Sequence, residues 1–136
     1  MTKEDKELLL KDLCARLPYG VRCRETEPFD SRFIVIYKLT SVYKDNVQVE
    51  TDNGGIMACT VDAIQVYLRP MSSMTEEEAM EYANCGNIIA NSPQMAYLVP
   101  NPNSIDWLLK NHFDYRGLID KGLAIGVTKE NNPYEN

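Results

Sequence analysis

The sequence predicts an α+β fold with an N-terminal helix, a small, strongly bent antiparallel sheet of about five strands, and C-terminal helices. Three observations lead to this prediction. Leucines recur at helical spacing near the start of the chain, an Asn-Gly turn joins two apolar segments in its middle, and capping patterns begin helices in its second half. A chain of 136 residues suits a single core, so we expect residues 1–136 to form one domain.

The first helix is predicted at residues 3–17. Thr2 can cap it, because Asp5 stands where its carboxylate can accept the reciprocal bond. Pro18 and Gly20 follow and end the helix. Its apolar stripe consists of Leu9, Leu10, Leu13 and Leu17.

Alternating apolar residues predict strands at about residues 21–25, 33–40, 47–51, 56–60 and 64–68. Residues 33–40 give the strongest signal, and their two apolar faces indicate a central strand. The segment before them contains Pro28 and is predicted to be a loop. Val61–Ala63 is predicted to form one tight turn before the last strand.

The hairpin of residues 47–60 turns at Asn53 and Gly54, which suit a type I′ turn because both of its central residues need φ > 0. The turn carries no chemistry. Five short strands with tight connections are compatible with a closed barrel of the SH3-like or Sm-like kind. The alternative is an open antiparallel sheet with helices on one face.

Three further helices are predicted at about 76–85, 104–112 and 115–121. Thr75 and Glu78 form a capping box for the first, and Asn103 with Asp106 begins the second. Residues 87–102 contain three prolines and leave short strands and a packed loop as open alternatives. Residues 128–136 have the composition of a frayed tail.

The formal net charge of -6 disfavours nonspecific binding to nucleic acid. The arginines near the first strands are interleaved with acids and are interpreted as a solvated face; they are Arg16, Arg22, Arg24 and Arg32. An aromatic platform for stacking bases is the competing interpretation. Its rings would be Tyr37, Tyr43 and Tyr67.

The chain begins with mixed charges and contains no long apolar run, so we expect neither a signal peptide nor a membrane span, and a cytoplasmic location. Disulfides are then not expected, and no CxxC pair suggests a metal site. Each cysteine is interpreted as a small buried apolar residue. The four are Cys14, Cys23, Cys59 and Cys85.

Catalytic residues are not indicated, so we expect neither an enzyme nor a bound cofactor or metal. His112 is the sole histidine and lies at a helix end, where the dipole favours an imidazolium. The acids Glu76, Glu77, Glu78 and Glu81 share one helix and are interpreted as a solvated face.

Residues 112–117 are interpreted as a structural junction. Asp114 is predicted to cap the last helix through the N–H of Arg116 or Gly117. Phe113 is predicted to turn into the core beside Trp107 or Leu109. Arg116 is predicted to pair with Asp120 at helical spacing.

Residues 11–21, 67–78, 106–108 and 112–124 resemble an uncharacterised family of small proteins encoded in gut anaerobic bacteria, often in their phage-like elements. The resemblance spans most of the chain and implies a bacterial cytoplasm or a phage context. It implies no activity. The tails of those relatives differ beyond Ala124, so the resemblance assigns no role to this tail.

The leading hypothesis is a noncatalytic protein-binding or adaptor module. A nucleic-acid-associated small barrel is the first alternative, and a small enzyme using carboxylates with Tyr115 or Arg116 is the second. An exposed apolar patch would favour the first, a basic aromatic face the second, and a cleft with a perturbed acid the third.

Overall fold

The computed structural model describes residues 1–85 and 102–135. Within these ranges the helices are α1 (Lys3–Arg16), α2 (Glu76–Cys85) and α3 (Pro102–Lys110). The strands are β1 (Arg22–Glu25), β2 (Tyr37–Tyr43), β3 (Asn46–Glu50), β4 (Ile56–Thr60), β5 (Ile64–Leu68) and β6 (Ala124–Gly126). The α+β class is therefore confirmed. The open question about residues 87–102 falls almost wholly outside the described residues.

The strands form one open sheet in the order β4-β3-β2-β1-β5-β6. Neighbouring strands are antiparallel except for β5 and β6, which are parallel. The sheet is mixed and gains β6, which sequence patterning did not predict because three residues show too little alternation. β4 and β5 are joined by a one-turn 3₁₀ helix at Val61–Ala63, as predicted, but they are not paired. The sheet does not close into a barrel.

One face of the sheet forms the main core with α1. Cys23 on β1 lies opposite Val66 on β5, and Leu39 on β2 lies opposite Val49 on β3, so these four buried side chains share that face. Burial of such aliphatic side chains is the main favourable term in folding. A second apolar cluster joins α2 and α3 through Tyr82, Trp107, Leu108 and Phe113.

Helix α1 begins as predicted. The Asp5 N–H donates to Thr2 Oγ1 at 3.0 Å, and the Thr2 N–H donates to the Asp5 carboxylate at 3.4 Å. The helix ends at Arg16 and passes through a 3₁₀ turn at Leu17–Tyr19 to Gly20, whose φ of 70° is a left-handed value that favours glycine.

The predicted central strand at residues 33–40 is wrong at its N-terminal end. β2 begins only at Tyr37, where it pairs with Cys23 of β1. Beyond Cys23, β1 pairs with β5 alone, so the residues before Tyr37 have no strand to bond on the β1 side. Phe33, Ile34 and Val35 consequently lie in the β1–β2 loop and are exposed to solvent.

The turn between β3 and β4 differs from the predicted type I′. Among the described non-glycine residues only Lys44 and His112 have positive φ, so Asn53 does not adopt the required conformation. The Gly54 N–H instead donates to Thr51 O at 3.1 Å, and Gly54 takes a φ of 92°. This is the three-residue loop in which a turn is followed by a left-handed glycine. The hairpin of β3 and β4 is present as predicted, but its register is shifted by one residue: Glu50 lies opposite Ile56, whereas a two-residue turn at Asn53 and Gly54 would place it opposite Met57.

We expect Gly54→Val to lower the free energy of unfolding by about 1–2 kcal/mol, because a β-branched residue is strained at positive φ. A Cβ at this position would meet no atom within 4 Å, so the loss comes from the backbone alone. Gly54→Asn is the matched control and should lose less, since asparagine tolerates this region. Denaturant titration measures both; an unchanged midpoint for the valine variant would show that the turn is different.

The C-terminal third departs most from prediction. α2 has its predicted bounds, whereas α3 begins at Pro102 and ends at Lys110 instead of spanning 104–112. Residues 115–121 form turns, not a helix, since Gly117 has a φ of 76° and interrupts any helical run. The chain then adds β6 to the sheet.

The C-terminal tail is docked, so the predicted fraying of residues 128–136 is wrong for the described part. Beyond the Cys23–Val66 pair, the next β1–β5 partners would be Arg22 and Tyr67. Here the Tyr134 hydroxyl accepts from the Arg22 N–H at 2.9 Å and donates to the Tyr67 carbonyl at 2.7 Å. The phenol thus takes the place of a ladder bond and ties the tail to two strands.

Candidate protein-interaction surface

His112 lies at the end of α3 with a φ of 66° and stacks on the ring of Tyr134, with 3.8 Å between centroids. Its Nδ1 is buried without a hydrogen-bond partner in the described part of the chain. Burial, reinforced by the positive charges of Arg16, Arg69 and Arg22, lowers the pKa of His112 to about 4. The predicted imidazolium is therefore wrong, because desolvation outweighs the helix dipole.

Phe113 turns into the core beside Trp107, as predicted for the junction at residues 112–117. The Phe113 ring is fully buried, stacks on Trp107 at 5.7 Å, and lies under the Arg69 guanidinium at 4.1 Å. The Arg69 N–H donates to the His112 carbonyl at 2.8 Å, and the Asp114 N–H donates to the Arg69 carbonyl at 2.9 Å. The segment thus forms an isolated parallel bridge, Arg69 to Phe113, just beyond the end of β5.

Two contacts predicted for this junction are wrong, because the structure gives Asp114 and Arg116 other partners. The Asp114 carboxylate accepts from the N–H groups of Leu118 and Ile119, both at 2.9 Å, and not from Arg116 or Gly117. Arg116 does not pair with Asp120, because residues 115–121 are not helical. Its Nε lies 3.1 Å from the carboxylate of Asp12 on α1.

A buried ion pair on α1 was not anticipated from the sequence. Asp12 and Arg16 are both fully buried, with Arg16 Nε 2.6 Å from Asp12 Oδ2. Arg16 Nη2 also donates to the Phe113 carbonyl at 2.8 Å. Arg16 is therefore not part of a solvated strand face. The pair binds α1 to the junction and has no access to a ligand.

The acidic helix shows no catalytic arrangement. Glu76, Glu77 and Glu81 are exposed, as predicted, while Glu78 closes the capping box with Thr75 and forms two 2.8 Å bonds with Arg69. The Arg69 guanidinium lowers the pKa of Glu78, so this acid is stabilised as a carboxylate. In residues 1–85 and 102–135, no group of three or more His, Cys, Asp and Glu side chains could hold a metal ion.

The cysteines are all free, and only Cys23 is fully buried as predicted. Cys23 lies in the core and Cys59 is half-buried, and burial raises the pKa of both thiols, that of Cys23 to about 12. Cys14 and Cys85 are exposed. Cys14 directly follows the buried Leu13 on α1, which turns its side chain away from the core face.

The three strand tyrosines do not form a stacking platform. Tyr37 faces the core side of the sheet and donates its hydroxyl to Glu25 at 3.1 Å. Tyr67 is buried, and only Tyr43 is fully exposed. The arginines are also mostly neutralised: Arg22 pairs with Asp52, and Arg32 pairs with Asp30.

The exposed apolar side chains of the β1–β2 loop are the most unusual surface feature. Residues 26–36 form this loop, and we call its four exposed apolar side chains the loop surface. Their exposed fractions are Phe29 106%, Phe33 71%, Val35 46% and Ile34 38%. Contiguous exposed apolar side chains are uncommon on monomers and mark interaction sites.

The loop has a defined conformation that presents this surface. Thr26 anchors its start, with its N–H donating to Ala63 O at 2.8 Å and its hydroxyl to Asp62 O at 3.0 Å. Asp30 forms a compact turn, accepting from the Arg32 N–H at 3.0 Å and from its guanidinium at 2.9 and 3.1 Å. The Arg32 guanidinium lies over the Phe33 ring at 5.7 Å, which limits the motion of that ring.

The loop contributes to two depressions. The first is a pocket of about 220 Å³ within the loop, bounded by Pro28, Phe29 and Phe33. A groove of about 560 Å³ lies between Ile36 and the tail residues 130–133. Arg24 and Ile34 line both. Apolar side chains line both depressions, and charged side chains stand among them, Asp30 in the pocket and Glu130 in the groove.

Comparison with known proteins identifies no relative of this chain. None of the protein-family models matches the chain. The curated proteins and the solved structures likewise give no match. The family resemblance, the bacterial or phage origin and the cytoplasmic location therefore stay predictions. Across the described ranges, no helix has both the length and the apolar character needed to cross a membrane.

Proposed function

We propose that this protein is a noncatalytic binding module that recognises another protein through the loop surface. The single observation that carries the proposal is the exposure of Phe29, Phe33, Ile34 and Val35 within one anchored loop. Leaving a fully exposed side chain of this size in water is unfavourable by about 1.5–3 kcal/mol relative to burial, and by a fraction of that at Ile34 and Val35, which are less than half exposed. Burial of these side chains against a partner would recover this free energy, and aromatic residues contribute most to such interfaces.

The strand order supports the same proposal at the level of fold analogy. β1 to β4 form a meander, and a one-turn helix then leads to β5, which returns to pair with β1; this order of elements resembles that of an SH3-like barrel. We interpret the open sheet as an incomplete barrel of this kind, extended by β6. Small barrels of this class often bind peptides, but a fold alone does not determine function, so the proposal depends on the loop surface.

Nucleic acid is a less favoured partner. The net charge of -6 opposes a phosphate backbone, and the rings proposed for base stacking lie on different faces of the sheet or are buried. An enzyme using carboxylates is also less favoured, since Glu78 and Asp12 are engaged by arginines. We therefore expect a protein partner and no catalysis.

The test compares wild-type protein with Phe29→Ser/Phe33→Ser as baits in a lysate of the host organism, followed by titration of each purified captured protein. We expect the double variant to bind its partner at least about tenfold more weakly, because exposed aromatic anchors dominate interfaces. Its free energy of unfolding should stay within about 0.5 kcal/mol of wild type, since neither ring contributes to the core.

The matched control is Tyr43→Ser/Met80→Ser, which removes two side chains that are 70% and 69% exposed but lie outside the loop. This control should bind like wild type. The proposal would be contradicted by a captured protein that binds Phe29→Ser/Phe33→Ser as tightly as wild type. It would also be contradicted if binding were weakened equally in the control variant.

A further inference from the structure

Arg24 differs from the other five arginines of the chain. Each of the others lies within ion-pair distance of a carboxylate: Arg16, Arg22, Arg32, Arg69 and Arg116. Arg24 is half-buried and has no such pair in the part of the chain that the structure describes. Its Nε is buried and lacks a hydrogen-bond partner there. Tyr67 forms a side-chain hydrogen bond with Arg24, and this bond and the positive charge oppose the rise that burial causes in the pKa of Tyr67. A tyrosine hydroxyl does not neutralise a guanidinium, so an incoming carboxylate would supply the missing charge.

The position of Arg24 links this donor to the loop surface. Together with Ile34 it separates the pocket of about 220 Å³ from the groove of about 560 Å³. Pro28 and Phe29 provide apolar contacts on the pocket side, and Ile125 does so on the groove side. A chain that crosses Arg24 therefore has apolar contacts available before and after the guanidinium.

Nearby acids do not neutralise Arg24. Asp30 is engaged by Arg32, and Glu25 accepts the Tyr37 hydroxyl at 3.1 Å. Glu130 lines the groove but forms no ion pair with Arg24. The guanidinium is thus the charge that a ligand crossing between the two depressions would meet.

We propose that the partner presents an extended segment with an internal aspartate or glutamate flanked by apolar residues, and that its carboxylate binds Arg24. The inference rests on the proposed function and names the chemistry of its partner. The planar guanidinium provides paired donors that match a carboxylate. The apolar neighbours of the acid occupy the pocket on one side and the groove on the other. An internal acid is favoured over a chain terminus because apolar contacts lie on both sides of Arg24.

The first experiment selects binders to the full protein from a library of short random segments displayed as internal fusions. We expect enrichment of segments that place an Asp or Glu between apolar residues. Enrichment of basic or uncharged segments would overturn the proposal. A parallel library with free C-termini identifies the other carboxylate source, and binders found there alone would overturn the internal position.

The second experiment measures a selected peptide and its Gln isostere by fluorescence titration against wild type and Arg24→Gln. We expect each single change to weaken binding about 10- to 100-fold, and the two changes together to add little, because a charge-assisted hydrogen bond is lost in either case. Additive losses would show that the carboxylate does not bind Arg24. Melting curves confirm that the variant folds, and Arg24→Lys should restore part of the affinity.

Glu130→Gln is the matched control, since it removes one charge from the same groove. Binding of the acidic peptide should be unchanged or tighter, and a loss equal to that of Arg24→Gln would overturn the proposal. If the natural partner tolerates Arg24→Gln but is lost with Phe29→Ser/Phe33→Ser, this inference fails and the proposed function stands. If the partner tolerates both variants, the proposed function fails.

Discussion

Replacing Asp12 with asparagine is expected to lower the free energy of unfolding by about 3–5 kcal/mol. Asp12 and Arg16 are fully buried, and the same carboxylate also meets Arg116 at 3.1 Å. Asparagine keeps the shape but removes the charge, so two guanidinium groups would face each other without a counterion. Urea titration measures the loss through a lower midpoint at an unchanged slope.

Two controls separate this mechanism from a general effect of altering α1. Glu7→Gln removes an acid from the exposed side of the same helix and should change stability by no more than about 0.5 kcal/mol. Asp12→Leu/Arg16→Met replaces both charges with apolar groups and should be more stable than Asp12→Leu alone, since only the partly exposed Arg116 is then left without its carboxylate. An Asp12→Asn variant as stable as wild type would show that the pair is not buried as described.

The elements predicted best are those whose signals are local. Helix α2 and strands β4 and β5 have their predicted bounds, because a capping box and a tight turn act within a few residues. The burial of Asp12 and Arg16 could not be predicted, since Phe113 and Arg116, which bind them, lie about a hundred residues further along the chain. Only the fold brings these groups together.

The error at residues 33–36 has a different origin. Apolar alternation indicates that a segment avoids water, but it does not distinguish burial in the core from burial against another molecule. Residues 33–36 continue the apolar alternation of β2. Beyond Cys23, however, β1 pairs only with β5, so these residues have no partner strand on the β1 side. Conflict between a local pattern and the fold is typical of functional sites. The failed prediction at Phe33 and its neighbours therefore coincides with the proposed binding surface.

The docked tail could not have been predicted for a similar reason. Its composition is that of a frayed terminus, and a single tyrosine carries the contact. Tyr134 binds because β1 and β5 diverge at Arg22 and Tyr67, where a hydroxyl can serve both backbone groups. Its ring then covers His112. The environment of His112 is thus set by a residue that local sequence does not connect to it.

Stability is expected to fall as the pH is lowered from about 6.5 toward 5, because of His112. Its folded pKa is lowered from the ordinary value of 6.5 to about 4, by burial first and then by Arg16, Arg69 and Arg22. Between these values the unfolded chain binds the proton and the folded protein does not, so protonation favours unfolding. The contribution of neutral His112 to the free energy of unfolding is fully present above about pH 6.5. It decreases by up to about 1.4 kcal/mol per pH unit as the pH falls below that value.

The total loss down to pH 4 is on the order of 1–3 kcal/mol, since the ring keeps some contact with solvent. Urea titrations at intervals between pH 7 and pH 5 isolate it, because Glu78, whose pKa is lowered from 4.5, loses its contribution only at lower pH. His112→Asn is the matched variant, since asparagine tolerates the φ of 66° and does not titrate. Its stability should be nearly constant over this range. Equal slopes for variant and wild type would show that His112 is not held neutral against Tyr134.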